Sequence, residues 1–379
     1  MRGETDVLII GGGIAGLMTA WYLAGEGVGV TLVEAGDLGA QASGANAGSL
    51  HLQLQFAEFV GYGEDWARAY APTLRFLAGS IDLWQGLSSA LGENLDVKVA
   101  GGVIVAQTEA QMELIRAKAK IEASVGVITE TLGREELLRI APYLSDKAIG
   151  GGFCAHEGKA NPLRATPAMA AAAVRAGAEI RRNTRVTGIE VLRNGFDVTT
   201  THGTISAGRV VNTAGASAAE VAAMVGLQID LKGFPLQVTV TEPVAPIIPH
   251  LVYSAAGKLS LKQAPNGGCI IGGGWAALER AGGGLANNPA NFAANMGVAT
   301  NVVPAMGRAR ALRSWTAWVN GTDDWRPIIG EAPGVPGYYL ALLPWVGFTG
   351  GPMTGRVAAD LILGKKPSVA LEGVSVLAD

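Results

Sequence analysis

The apolar run at residues 7–10, VLII, has the length of a buried strand and stops at Gly11. Past it, Ile14, Leu17, Met18, Trp21 and Leu23 recur at helical spacing, and residues 28–33 turn β-rich again before Glu34. The pattern predicts strand, helix and strand in succession. Gly11, Gly13 and Gly16 stand between the first two in the order G-x-G-x-x-G. Gly11 suits the tight turn, Gly13 lets a pyrophosphate approach the backbone, and Gly16 lets helix pack on strand. The helix amides, with Ile14 and Ala15 in the first turn, would face the phosphates. Glu34, followed by Ala35, can accept hydrogen bonds from ribose hydroxyls. An acid at this position suits a free 2′-hydroxyl, which leaves FAD or NAD and disfavours NADP.

Small residues dominate positions 39–49, so the backbone there must lie close to a ligand or to another segment. Ser43, Gly44, Asn46, Ala47, Gly48, Ser49 and then His51 interleave polar groups with small ones, as a loop lining a cofactor would. Residues 70–91, 109–126 and 133–141 have helical spacing, and 101–106 is a short strand. From Gly151 the chain turns strand-like. A helix at 161–177 then has Asn161 as its cap and Pro162 in its first turn. A strand runs to Val186, and a hairpin follows around Asn194 and Gly195. Residues 210–212 form a buried strand that meets Ala214 and Gly215 before a helix near Ser217. This repeats the opening logic, so a dinucleotide lying across the sheet would touch it.

Residues 226–249 and 253–274 alternate, with the hairpin LSLKQAPNGGCIIGGGW reading as antiparallel. A helix at 289–303 and a strand at 311–319 follow. In the closing GFTGGPMTGR, small residues lead into a helix from about Met353. Gly347, Thr349, Gly350, Gly351, Met353 and Thr354 would direct its first amides at whatever sits in front.

A chain of 379 residues, 49% hydrophobic and 16% charged, is long enough for two domains with a sizeable core. A net charge of -3 offers no broad basic surface for nucleic acid. Cys154 and Cys269 lie far apart without a C-x-x-C partner, which excludes a cysteine-ligated metal or iron–sulfur site and suits a reducing compartment. The apolar stretch at 9–25 is broken by glycines, follows charged residues and has no small-residue cleavage site, so no membrane span or signal peptide is expected. The expected location is cytoplasmic.

Together the opening motif, the NTAG turn, WRPIIG and GFTGGPMTGR resemble the glycine oxidase and D-amino-acid oxidase superfamily of FAD-dependent oxidoreductases over nearly the whole length. SGANAGSLHLQ, LSLKQ and IGGGW look most like the flavoprotein subunits of opine oxidases, D-hydroxyproline dehydrogenase and hydrogen cyanide synthase. The resemblance implies an α/β, two-domain fold. Its Rossmann-like FAD-binding domain would be assembled from residues 1–85, 145–225 and 325–379, and its mainly antiparallel substrate domain from 86–144 and 226–324. It also implies FAD, a small amine or imino-acid substrate, and partner subunits carrying a second flavin, an iron–sulfur cluster or both.

Glycine oxidase holds its substrate carboxylate with two arginines, and the matching positions here are Val319 and Trp345. Replacement cations are Lys262, Arg313 and His51. Lys262 could equally hold a water over the flavin, Arg313 could anchor its strand, and His51 reads as either a packed loop residue or a group facing the flavin. Trp345, with Trp275 and Trp318, could wall the pocket or fill core. Four readings follow: a dehydrogenase subunit, a self-sufficient oxidase, an NAD-dependent dehydrogenase, and a passive flavin-binding subunit.

Overall fold

The structure, a computed structural model, describes residues 2–374. Residue 1 and residues 375–379, which the sequence reading places in the FAD-binding part, lie outside that range. The opening run ends the strand Arg2–Ile10, where Val7, Leu8, Ile9 and Ile10 are all buried. Covered on both faces, they read as continuously apolar. Val30–Val33 pairs parallel on one side and Gly203–Asn212 on the other. Glu179–Arg181 and Tyr338–Leu342 extend this parallel core outward. The hairpin of Val186–Leu192 and Gly195–Thr200 adds antiparallel strands to the same sheet.

Register places Val33, Ile10, Asn212 and Leu340 in one row across the sheet. Glu34, Gly11 and Thr213 therefore leave it at a common edge. A ligand crossing the carboxyl ends of these strands would meet all three turns.

The second sheet runs in the order Ala311–Gly321, Lys232–Pro243, Gly268–Ala276, Ser260–Gln263, Leu251–Ser254, Gly102–Ala106, Gly150–Cys154, Glu130–Gly133. The hairpin read from LSLKQAPNGGCIIGGGW forms with Ser260 opposite Gly272 and Gln263 opposite Cys269. Helix Pro289–Val302 covers one face of this sheet, bringing Ala299 and Val302 to Leu261 and Ile271.

Two helices begin earlier than the sequence suggests. The first long helix is Phe56–Leu91, and its early turns are disguised by Gly63, where φ 84 kinks the chain. The C-terminal helix is Gly347–Ile362 and does not start near Met353. Its glycines look like turn residues but meet neighbours: a Cβ on Gly350 would lie 2.0 Å from Leu343 Cδ2. Small residues there serve packing.

Candidate active site

The first candidate region is the edge where the turns converge. Gly11 takes φ 115, and a Cβ there would lie 2.5 Å from the carbonyl oxygen of Thr213. Thr213 Oγ1 in turn donates to Ile10 O at 2.9 Å and Gly11 O at 3.0 Å, so the two turns hold each other. Ala214 N is held by Asn212 Oδ1 at 3.1 Å, and Gly215 follows at φ 57 with open space where a Cβ would stand. Helix Ile14–Gly25 makes its first internal bond from Leu17 N to Gly13 O at 2.9 Å. The amides of Ile14, Ala15 and Gly16 thus precede the ladder, and that of Ile14 meets Ser43 Oγ at 3.0 Å. Glu34 accepts from Gly12 N at 2.7 Å and from Gly36 N at 2.8 Å. Each of its oxygens retains a further lone pair for a ribose hydroxyl. Ala35 is exposed beside it, and Val186 is buried in the cluster with Ile10 and Val33.

The small-residue loop packs mainly against other chain segments. A Cβ on Gly44 would lie 2.3 Å from Gly39 O, and one on Gly48 2.3 Å from Ala160 O. Residues 42–45 form a short helix, Ala42–Ala45, closed by Asn46, whose side chain donates to Ala42 O and Ser43 O and accepts from Gly48 N. Ala47 lies against Gly272 of the second sheet.

At the C-terminal helix, Gly350 N bonds Val346 O at 3.1 Å, so the amides ahead of the ladder belong to Gly347, Phe348 and Thr349. This corrects the expectation for Gly350, Gly351, Met353 and Thr354. Gly350 N makes that first bond itself, the amides of the other three come after it, and Met353 N lies 3.3 Å from Ser80 Oγ. Gly347 faces open space.

The loop and the second sheet meet at Ser49. Its hydroxyl lies 2.9 Å from Ser260 Oγ and accepts from Lys262 Nζ. Period-2 alternation puts Ser260 and Lys262 on one face of their strand, a signal legible in LSLKQ. Burial, helped by the charge of Lys159, pushes Lys262 down to about 7. Thr349 Oγ1 accepts from His51 N at 2.9 Å and donates to Ser49 O at 3.2 Å, joining loop to helix. His51 is pushed down to about 3 by burial and then by Lys262, so it is neutral. Its Nδ1 lies 2.7 Å from Tyr253 OH.

Behind His51 stand Tyr253, Glu157, Gln53, Lys118 and Glu122, all buried. None of these was singled out from the sequence. The signal for one pair was present: Ile115, Lys118 and Ile121, with Glu122, fall on the buried side of one helix. Its salt bridge, Lys118 Nζ to Glu122 Oε1 at 2.5 Å, has no solvent exposure on either side chain.

Trp345 sits at φ 62, stacks on Trp325 at 5.1 Å, contacts Phe234 at 4.5 Å, and donates from Nε1 to Thr322 O at 2.8 Å. Val319 pairs with Phe234 on the neighbouring strand. Val319 and Trp345 therefore both lie at this aromatic cluster. Trp275 and Trp318 are half-buried on their strands.

Arg313 is exposed and lies over the Trp315 ring at 5.4 Å. Through Val240 and Ile270 it shares a row with Lys262. Three strand spacings separate them, roughly 14 Å. The structure does not bring Arg313 into the Ser49, His51 and Lys262 group. Arg326 pairs with Asp324 at 2.9 Å and Arg356 with Asp360 at 3.1 Å, both as structural partners.

The family model described as FAD dependent oxidoreductase (DAO) matches residues 6–361. The chain belongs to this family. An opine oxidase subunit of Rhizobium meliloti is 30% identical over 349 residues, covering 89% of this chain and 88% of the relative. The beta subunit of sarcosine oxidase from Rhizobium meliloti strain 1021 is 30% identical over 369 residues, covering 94% and 84%. The crystal structure of glycine oxidase from Geobacillus kaustophilus aligns with TM-score 0.87 at 25% identity, covering 100% and 99%.

Membership makes this chain a FAD-dependent amine or amino-acid oxidoreductase. Its residues fit the cofactor. Amides of two helix starts, the lone pairs of Glu34 and the open space at Gly215 and Gly347 supply donors, acceptors and room. Among the described residues no helix is long and apolar enough to cross a membrane.

Proposed function

We propose that this chain is the catalytic flavoprotein subunit of a dehydrogenase acting on the C–N bond of an N-substituted amino acid, an opine or a D-hydroxyproline-like imino acid, and that electrons leave to partner subunits. The observation that carries this reading is the aromatic wall of Phe234, Trp325 and Trp345. The resemblance expects carboxylate-binding cations at Val319 and Trp345, and this apolar cluster supplies none there, which favours a substrate with a larger, less polar N-substituent. Two relatives that are themselves subunits, of opine oxidase and of sarcosine oxidase, support the partnered state.

Bound FAD would supply the hydride acceptor. The chain would contribute orientation and charge. Amides of Gly347, Phe348 and Thr349 would face the edge that becomes negative on reduction. Lys262, near its midpoint at neutral pH, would place a cation or a neutral donor beside Ser49. His51, neutral and held by Thr349 and Tyr253, would line the amine side.

The test is anaerobic flavin reduction by nopaline, octopine, cis-4-hydroxy-D-proline, L-proline, sarcosine and glycine in turn. Bleaching by an N-substituted member, with slow reoxidation by oxygen, is the expected result. Rapid peroxide formation would instead favour the second reading, a stand-alone oxidase, which the similarity to glycine oxidase along the full chain supports.

A further inference from the structure

Lys118, Gln53, Glu157 and Tyr253 are buried and hydrogen-bonded in series, and the series ends on half-buried His51. An ammonium can only donate. Lys118 Nζ donates to Gln53 Oε1 at 3.2 Å, which turns the Gln53 amide nitrogen toward Glu157 Oε2 at 2.8 Å. Glu157 Oε1 accepts from the backbone amides of Leu52 at 2.6 Å and Gln53 at 2.9 Å. Each carboxylate oxygen thus faces donors that cannot become acceptors. Burial pushes the Glu157 carboxyl up, and these donors oppose it. Tyr253 OH then donates to Glu157 Oε1 at 2.9 Å. With its single hydrogen used there, the tyrosine oxygen must accept from His51 Nδ1 at 2.7 Å. Nδ1 therefore carries the ring hydrogen, and Nε2 keeps its lone pair.

We propose that this chain fixes His51 as the Nδ1–H tautomer and that Nε2 accepts a hydrogen bond from the N–H of the substrate amine. Glu157 and Tyr253 are then positioning residues. The amine contact rests on the function proposed above; the tautomer does not. His51 is too weak a base to keep a proton near neutrality, so its contribution is directional. It sets the rotation of the amine about its C–N bond, and with it the C–H that faces the flavin.

The test uses the full FAD-loaded chain labelled with ¹⁵N-histidine, reading His51 by long-range proton–nitrogen NMR. The parent should show Nδ1–H. Tyr253→Phe removes both bonds of the hydroxyl and should give a tautomer mixture. It should also raise KM for the reducing amine several-fold, in proportion to the Nδ1–H fraction lost, and lower kcat with it, because a misoriented amine reacts poorly. Glu157→Gln still presents an acceptor oxygen to Tyr253 and should retain Nδ1–H. An Nε2–H signal in the parent, or a signal unchanged by Tyr253→Phe, overturns the tautomer chain. A tautomer that shifts in Tyr253→Phe while KM stays within twofold of the parent overturns the amine contact. A parent whose flavin no amine reduces overturns the function beneath that contact, and the NMR arm is read independently of it.

Discussion

A Cβ on Gly351 would lie 2.5 Å from Cγ2 of Ile14, so the helix that opens the dinucleotide motif and the C-terminal helix touch through a glycine. One turn on, a Cβ on Gly355 would meet Met18 Cβ at 2.5 Å, Thr19 N at 2.7 Å and Ala15 O at 2.9 Å. Backbone cannot move aside as a side-chain tip can. Gly355→Val should therefore destabilise the fold by about 1–3 kcal/mol, the usual range for overpacking. Because Ile14–Gly25 carries amides of the cofactor cradle, the variant should also retain less flavin on gel filtration. A urea midpoint and flavin content equal to the parent's would show that the two helices can separate freely.

The opening strand, turn and helix were legible because periodicity and glycine spacing are local. So was the hairpin at Ser260 and Gln263, whose alternation and Pro-Asn-Gly turn lie within a few residues of each other. The starts of Phe56–Leu91 and Gly347–Ile362 were not, because Gly63 and the closing glycines read as breaks until their neighbours are known. Glu157 was invisible for a related reason. Its partners Leu52, Gln53 and Tyr253 lie about a hundred positions away, and no local pattern encodes that distance.

Glu34 holds Gly12 N and Gly36 N with opposite carboxylate oxygens, at 2.7 and 2.8 Å. Glu34→Ala removes both and also removes the acceptor offered to a ribose. A hydrogen bond to a charged group is worth about 1.5–3 kcal/mol, so loss of one ribose contact should lower FAD affinity roughly tenfold to a hundredfold. Titrating FAD into the apoprotein and following flavin fluorescence measures this. Glu34→Gln, which keeps one acceptor, should lie between the two.

Lys262 predicts a slope of stability with pH. Folded, it loses its proton at about 7; unfolded, it keeps it to the ordinary value of 10.5. Between these the unfolded chain binds more protons, so stability rises with pH across this window. Below about 7 both states are protonated and the buried charge opposes folding in full. Lys262→Met should flatten Tm between pH 7 and 9.5 relative to the parent, once the shared background is subtracted. Parallel Tm profiles would mean that Lys262 stays charged in the fold.

Trp345 combines a strained backbone with a packed side chain. At φ 62 a residue with a Cβ is disfavoured, and glycine relieves that by about 1 kcal/mol. Removing the indole forfeits its stack on Trp325, its contact with Phe234 and its bond to Thr322 O, which together should exceed that gain. Both Trp345→Ala and Trp345→Gly should therefore unfold at lower urea than the parent. Between them the usual order should reverse, with Trp345→Gly the more stable by about 1 kcal/mol, because only alanine keeps the strain. The wall would be lost equally in both, so KM for the reducing amine should rise together in the two variants. An alanine variant more stable than the glycine variant would show that the backbone relaxes out of the left-handed region once the indole is gone.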